Sequence, residues 1–467
     1  MTDHHSRTSL AVMAAPQTNT ESQSMLVISA RWWTLLFSVC VFTAGFWVID
    51  HTPFASDYFE VDSIVAESEN RTADRIEAVN VITAPVRMFM GFFGLAFLFM
   101  PISNKLNWGG IILVSVLSYG FYCGASALWS VNQTITMQKF LVLCFFGAAA
   151  YGTARFYSIR ELAIIFVSVC VAYIGIGVLA ELALGNFTPH KKEYRFVGTC
   201  HPNSLAVYGT FGCLITIAYF NINAKLNRWM VLLFAVGIVT LLLTKSRTTL
   251  AAFAFSAIAT WFMTFRPNNR VLAVSVSLLL MVVAGLTLAL SKSHIQASVA
   301  EKMAMGRTRD VSTLTGRLPL WELLVDSIQD KPYLGYGYLA YWDKQQIEVL
   351  TDRLQWEIPH GHNMYLDVLL DGGIIALLLY IAVFLSALLI TGYRAVMFYD
   401  RDSILVFGFT VFAVVHGFAE SLFKLPTFLL FMLLVLVLRI AFQPVEQEES
   451  PLLSNSAGLL SASESPA

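Results

Sequence analysis

His362 is the residue best suited to act as a base, since an imidazole can take a proton from a sugar hydroxyl near neutral pH. It stands in His360-Gly361-His362-Asn363, immediately before an apolar run, with His360 as a second candidate. Two other apolar runs also start beside polar motifs: Cys200-His201-Pro202-Asn203-Ser204 and Lys245-Ser246-Arg247-Thr248. Each start carries residues able to cap a helix: Asn203 or Ser204, Ser246 or Thr248, and Asn363. A capped helix start presents free N–H groups and the positive end of the dipole, which favours an anion. Should the three starts converge, they form an anion site where Arg247 and Arg317 supply bidentate contacts to phosphate. Arg195, His201, Asn203, Lys245 and Asn363 would then line the ligand. The Asn and Ser residues would cap equally well without one.

Other groups could serve this centre. Asp367 and Asp371 follow His362 on the same predicted helix, and either could orient the imidazole. His416 and Glu420 lie four apart near the end of a later span, which predicts one helix face. An ionisable pair there is a functional candidate, and a mutual structural hydrogen bond is the alternative. No cysteine pair has CxxC spacing, and most of the six fall inside apolar runs. They read as small membrane-buried residues with no metal or disulfide role. Cys200 alone is expected near an external surface.

The elements that would position these groups are transmembrane helices. The 467 residues are 57% hydrophobic and 13% charged, with mean hydropathy +0.65, too little charge for a soluble surface of this size. Apolar runs of span length fall near 32–49, 84–101, 108–128, 138–154, 161–183, 204–221, 228–244, 248–265, 270–290, 364–391, 403–419 and 426–442. The fold class expected is therefore an all-α polytopic membrane protein of about twelve spans. Residues 1–31 read as a cytoplasmic tail, 32–290 as spans one to nine, 291–363 as a long periplasmic loop, 364–442 as the last three spans and 443–467 as a disordered tail. The first span reads as a retained signal anchor. A net charge of −1 gives no pull toward nucleic acid.

Charge distribution sets the orientation. With the N-terminus inside, the internal loops carry Lys105; Arg155 and Arg160; Lys225 and Arg228; Arg266 and Arg270; Arg394 and Arg401. The first external loop is acidic, with Asp50, Asp57, Glu60 and Asp62 among its residues. This is the positive-inside pattern, with both termini in the cytoplasm. Three external cationic clusters break it: His190, Lys191, Lys192 and Arg195; Lys245 and Arg247; Arg307, Arg309 and Arg317. Lys191 and Lys192 read as snorkelling or paired with external acids, whereas Arg247 and Arg317 read as ligand contacts.

The loop 291–363 is too long for a plain connector. An amphipathic stretch, Trp321 to Ile328, predicts a short helix at the membrane surface, followed by a tight turn at Gly335-Tyr336-Gly337. Tyr336 and the later aromatics Tyr338, Tyr341 and Trp342 could stack on sugar faces or form an interfacial belt.

The ordered set of motifs resembles the O-antigen ligase and polysaccharide polymerase family, above all its exopolysaccharide-production branch. Over about 195–390, Leu314-Thr315-Gly316-Arg317, Trp321, Ile328, Lys331-Pro332 and Leu334-Gly335-Tyr336-Gly337 are similar to that family's loop. His362-Asn363 followed by Gly373 resembles its second signature, with Ala376 where a glycine is usual, and Ser246-Arg247 with Leu250-Ala251 resembles its helix start. The resemblance implies a GT-C-like helical glycosyltransferase working on the periplasmic face of the bacterial inner membrane, without nucleotide sugar, cofactor or required metal. The implied donor is a glycan on undecaprenyl diphosphate. The implied acceptor is a further saccharide, for a polymerase, or lipid A-core, for a ligase. Other polysaccharide-assembly proteins are the implied partners. Carried onto this chain, Arg247 and Arg317 would hold the diphosphate, His362 would act as base and Asn363 would fix the local geometry. The competing class is a polysaccharide transporter or flippase, for which matched halves and midplane charges would be expected.

Overall fold

The structure is a computed structural model that describes residues 20–58, 72–99, 110–192, 194–220, 227–265, 317–356, 358–424 and 426–442. Regular structure among the described residues is helical throughout, with no strand. In chain order the helices are α1 (Thr20–Tyr58), α2 (Thr72–Ala96), α3 (Gly110–Ala125), α4 (Gln133–Phe156), α5 (Ile159–Ala183), α6 (Pro202–Tyr219) and α7 (Arg228–Leu243). They continue with α8 (Arg247–Met263), α9 (Arg317–Asp330), α10 (Lys344–Leu354), α11 (Met364–Met397), α12 (Arg401–His416) and α13 (Phe428–Ile440). Eleven of the twelve apolar runs overlap described helices; the run at 270–290 lies outside the described residues, as do Arg307 and Arg309. Among the described residues, five segments are long and apolar enough to cross a membrane: Arg31–His51, Gly110–Leu128, Gln133–Phe156, Ile159–Ala183 and Met364–Met397. Shorter apolar helices include Arg228–Leu243, which packs on α6, and Phe428–Ile440, which packs on α4. The chain is thus a multi-pass helical membrane protein.

Lipid tails give helices no hydrophobic reason to associate, so close packing must do it, and small residues allow the approach. A Cβ added at Gly209 of α6 would come within 2.8 Å of the Gly237 carbonyl on α7. Helix α8 packs on the same α6, and it follows α7 after only Thr244, Lys245 and Ser246.

The two ends of the bundle differ. Arg31 pairs with Glu161 at 2.6 Å, Tyr219 donates to Asp402 at 2.6 Å, and Arg394 pairs with Asp400 at 3.3 Å. These residues come from the loops read as internal. At the other end His51 of α1 meets Thr199 at 2.9 Å, which joins the end of the first span to the segment before α6.

The 34-residue helix α11 is broken at Gly372 and Gly373, where the φ of +63° at Gly373 suits glycine. The break frees backbone groups that the Gly335-Tyr336-Gly337 turn answers. Tyr336 N donates to Leu370 O at 2.7 Å, Gly337 N to Asp371 O at 2.9 Å, and Ile374 N to Pro332 O at 2.9 Å. A Cβ at Gly335 would stand 2.6 Å from Leu370 O and Gly372 N. The turn is therefore a clasp on the kink.

The segment after Arg317 forms a small separate core, with Leu320 and Leu324 of α9 against Leu350, Ile358 and Leu370. The sequence reading expected the helix near 321–328, which the structure has as α9. It did not expect α10, a polar helix capped by Asp343, whose side chain accepts from Gln346 N at 2.8 Å.

Candidate active site at four helix starts

The starts of α6, α8, α9 and α11 converge on one cavity of about 180 Å³ lined by Arg195, His201, Asn203, Ser246, Arg247, Thr248, Arg317, Trp356 and His362. Arg247 and Arg317 are the first residues of α8 and α9. The helix starts bring N–H groups and positive dipole ends to the same place. The structure thus brings together the three residues expected to do chemistry.

The arginine loop is built first. Glu181, in the last turn of α5, accepts from Val197 N at 2.9 Å and Gly198 N at 2.8 Å. Phe196 N then donates to Leu243 O at 2.9 Å, and Arg195 Nε to Thr244 O at 2.8 Å. This lays Arg195 across the end of α7, beside the start of α8.

Asn203 ties α6 to α8. Its Oδ1 accepts from Ser246 Oγ at 2.8 Å and from Arg195 Nη2 at 3.3 Å, while its Nδ2 donates to Glu420. The sequence reading gave the cap of α6 to Asn203 or Ser204. The cap is His201, whose Nδ1 accepts from Asn203 N at 3.2 Å. Pro202, with φ suited to the first helical turn and no N–H to satisfy, displaces the cap to the residue before it. Ser246 does precede α8, yet makes no capping bond, because its hydroxyl is turned to Asn203 and Thr249.

His362 is held from three sides. Gly361 N donates to Asp367 Oδ1 at 3.0 Å, and Trp321 Nε1 donates to Gly361 O at 2.9 Å. A Cβ at position 361 would lie 2.7 Å from that carboxylate oxygen and 2.9 Å from Leu324 Cδ1, so a side chain there would displace them. His362 itself has φ +48°, the left-handed region costly for a side-chain-bearing residue. Asn363 caps α11, accepting from Tyr365 N at 3.0 Å and Leu366 N at 3.2 Å, and its Nδ2 donates to Phe418 O at 3.1 Å. That last bond fastens the histidine to the turn carrying Glu420.

Glu420 is buried, with its side chain 2% exposed. One oxygen accepts from Arg317 Nη2 and Asn203 Nδ2; the other lies 3.4 Å from His362 Nδ1. Burial alone would raise its pKa. The bond from His362 and the charges of Arg317, His362 and His201 outweigh burial and hold the carboxyl well below the usual range. His362 Nε2, the ring nitrogen turned away from Glu420, is buried and has no hydrogen-bond partner among the described residues. Arg317 Nη1 reaches Thr248 Oγ1 at 3.4 Å. Three guanidinium groups, those of Arg195, Arg247 and Arg317, line the cavity, and Glu420 bonds that of Arg317.

Other expected residues sit outside the cavity. His360 packs on His362 with ring centroids 4.3 Å apart, and burial pushes its imidazole well below its ordinary range. Lys245 Nζ donates to Lys192 O, which pins the 184–201 loop rather than the cavity. Tyr336 donates its hydroxyl to Ser327 O at 2.8 Å and lies under Lys331, within the clasp on α11.

Three sequence expectations are corrected. His416 and Glu420 do not share a helix face: α12 ends at His416 and Glu420 lies beyond it in a turn. His416 Nε2 instead meets Thr249 at 3.2 Å. Neither aspartate orients the His362 ring. Asp367 holds Gly361 and Trp342 Nε1, and Asp371 pairs with Lys424 at 2.8 Å. Cys200 is 1% exposed, packed in the core rather than at a surface. The sequence reading also passed over Trp356, whose ring lies 5.4 Å from that of His362; an isolated tryptophan after a polar helix gave it no signal.

Residues 229–381 match the family described as O-antigen ligase. Over 324 residues the chain is 24% identical to "Exopolysaccharide production protein ExoQ" of Rhizobium meliloti (strain 1021), covering 65% of this chain and 71% of that protein. The chain is thus similar to O-antigen ligase-related proteins over the matched residues. Arg247, Arg317 and His362 fall within the matched residues, while Arg195, His201, Asn203 and Glu420 lie outside them and are joined to it by the geometry above.

Proposed function

We propose that this chain transfers a glycan from undecaprenyl diphosphate to a saccharide acceptor at the periplasmic face of the bacterial inner membrane, as an exopolysaccharide polymerase. The observation that carries this reading is one cavity shared by Arg247, Arg317 and His362. Three guanidinium groups and several helix starts suit a diphosphate. A lipid diphosphate is already a good leaving group, so the protein's task is to position it and neutralise the charge it develops.

In this mechanism Arg195, Arg247 and Arg317 hold the diphosphate. His362 Nε2 takes the proton from the acceptor hydroxyl as the hydroxyl oxygen bonds to the anomeric carbon. The bond from that carbon to the diphosphate oxygen breaks, and the pair of electrons leaves with the lipid diphosphate. Glu420 keeps the proton on His362 Nδ1 and sets the angle of Arg317. The basic end formed by Arg31, Arg160, Arg394 and Arg401 supports a cytoplasmic assignment for that end and the periplasm for the cavity.

The name of the Rhizobium relative favours the polymerase, and the family description over 229–381 favours the second reading, a ligase acting on lipid A-core. Deletion separates them: single lipid-linked repeat units accumulate without a polymerase, long lipid-linked chains without a ligase. Purified protein with a defined lipid-diphosphate glycan should form lengthened glycan and release lipid diphosphate. No product from a folded preparation would overturn both.

A further inference from the structure

A second cavity, about 760 Å³, lies between α3, α4, α11 and α13 and shares no lining residue with the arginine cavity. Its volume is that of a ligand pocket. Its lining is apolar apart from a few tyrosines, Cys144 and Lys424, whose charge is already answered by Asp371 at 2.8 Å. It therefore suits hydrocarbon and offers an anion little. Leu117 and Phe121, 61% and 77% exposed, form its rim, which opens sideways where a bilayer would be. From Lys424 it reaches to Leu438, and α13 lines it from Leu430 to Leu438, about 12 Å at the helical rise.

Two glycines set its width. Gly120 of α3 and Gly147 of α4 both line the cleft, and a Cβ at either would meet nothing within 4 Å. Glycine inside a helix is destabilising relative to alanine. At Gly94, Gly152, Gly209 and Gly237 the cost is offset by close approach to a neighbouring helix. At Gly120 and Gly147 the only return is open space in the cleft.

One short segment of chain runs from the candidate site to the cleft. Glu420 bonds His362 and Arg317, and four residues later Lys424 closes the near end of the cleft. We infer that this cleft seats the polyprenyl chain of a lipid-linked acceptor saccharide. The inference rests on the proposed transfer reaction, in which the arginine cavity takes the donor's diphosphate. The acceptor chain would enter from the lipid on the opposite side of the 420–424 turn, bringing its saccharide toward His362.

The test holds the donor fixed and varies the acceptor, using saccharides on C15 and C55 polyprenyl carriers with the full chain in nanodiscs. The wild type should show a lower KM for the C55 acceptor. Gly147→Phe should raise that KM by about tenfold or more, toward the C15 value, leaving kcat and donor KM unchanged. A folded variant that keeps the wild-type chain-length preference overturns the assignment, as does a wild type with no preference. Should Gly147→Phe not fold, a photo-reactive benzoylphenylalanine at Leu117 decides: capture of the C55 acceptor over excess bilayer phospholipid supports it, and capture of phospholipid alone overturns it. If the wild type transfers nothing, the transfer reading itself falls; intact transfer without chain-length dependence removes only the cleft assignment.

Discussion

The two ends of the bundle use arginine in opposite ways. At one end Arg31, Arg394 and Arg160 face Glu161, Asp400 and Asp402, and Arg401 caps the carbonyls of Ala218 and Phe220. There each cation has a local protein partner, and the pairs hold helix ends together. At the other end Arg195, Arg247 and Arg317 line one cavity, and Glu420 bonds Arg317 there. Three guanidinium groups gathered on helix starts that add further positive potential suit an anion. The same residue type ties helix ends together in one place and lines a cavity in the other.

That contrast predicts a graded set of effects. His362→Ala should lower kcat by on the order of 10²–10⁴, the usual contribution of a general base, with donor binding retained; a steady-state transfer assay separates the two. Glu420→Gln should lower transfer by about 10–100-fold, the worth of a hydrogen bond to a charged group, with a smaller change in donor KM.

His201 offers a pH test. Burial lowers its pKa from 6.5 to about 4. A folded-state pKa below the unfolded value means that the unfolded chain binds the extra proton between pH 6.5 and 4. Thermal stability should then be full above pH 6.5 and fall as the pH drops toward 4. His201→Asn, which keeps a capping acceptor without the titration, should flatten that fall in a melting series. The smallest effect belongs to the paired end: Arg31→Ala should cost about 0.2–1 kcal/mol, as exposed pairs do, and leave transfer unchanged. A large loss of transfer from Arg31→Ala would break the contrast.

Much of this was legible in the chain. Apolar runs locate helices well because the bilayer demands both length and composition. The cations on the wrong side of the positive-inside pattern pointed to Arg195, Arg247 and Arg317 for a physical reason, and those residues do meet. Convergence itself was not legible, since it depends on the Asn203 hub, the Gly361–Asp367 bond and the clasp at Gly372-Gly373, which join segments far apart in sequence. Glu420 was singled out through helical spacing to His416, a face that the end of α12 removes. Helix α10 was missed because its polarity hid a short pattern, Ile347 and Leu350 after the Asp343 cap, that capping rules could have found. Tyr336 looked like a sugar platform, yet its backbone is what the fold needs.

The most direct test is donor affinity against inorganic pyrophosphate in single-turnover transfer by the reconstituted protein. The account predicts that pyrophosphate competes with the lipid-diphosphate donor, and that Arg247→Ala and Arg317→Ala weaken both to a similar degree while lowering transfer by about 10²–10³. Unchanged donor affinity and transfer in both variants, with pyrophosphate failing to compete, would contradict it.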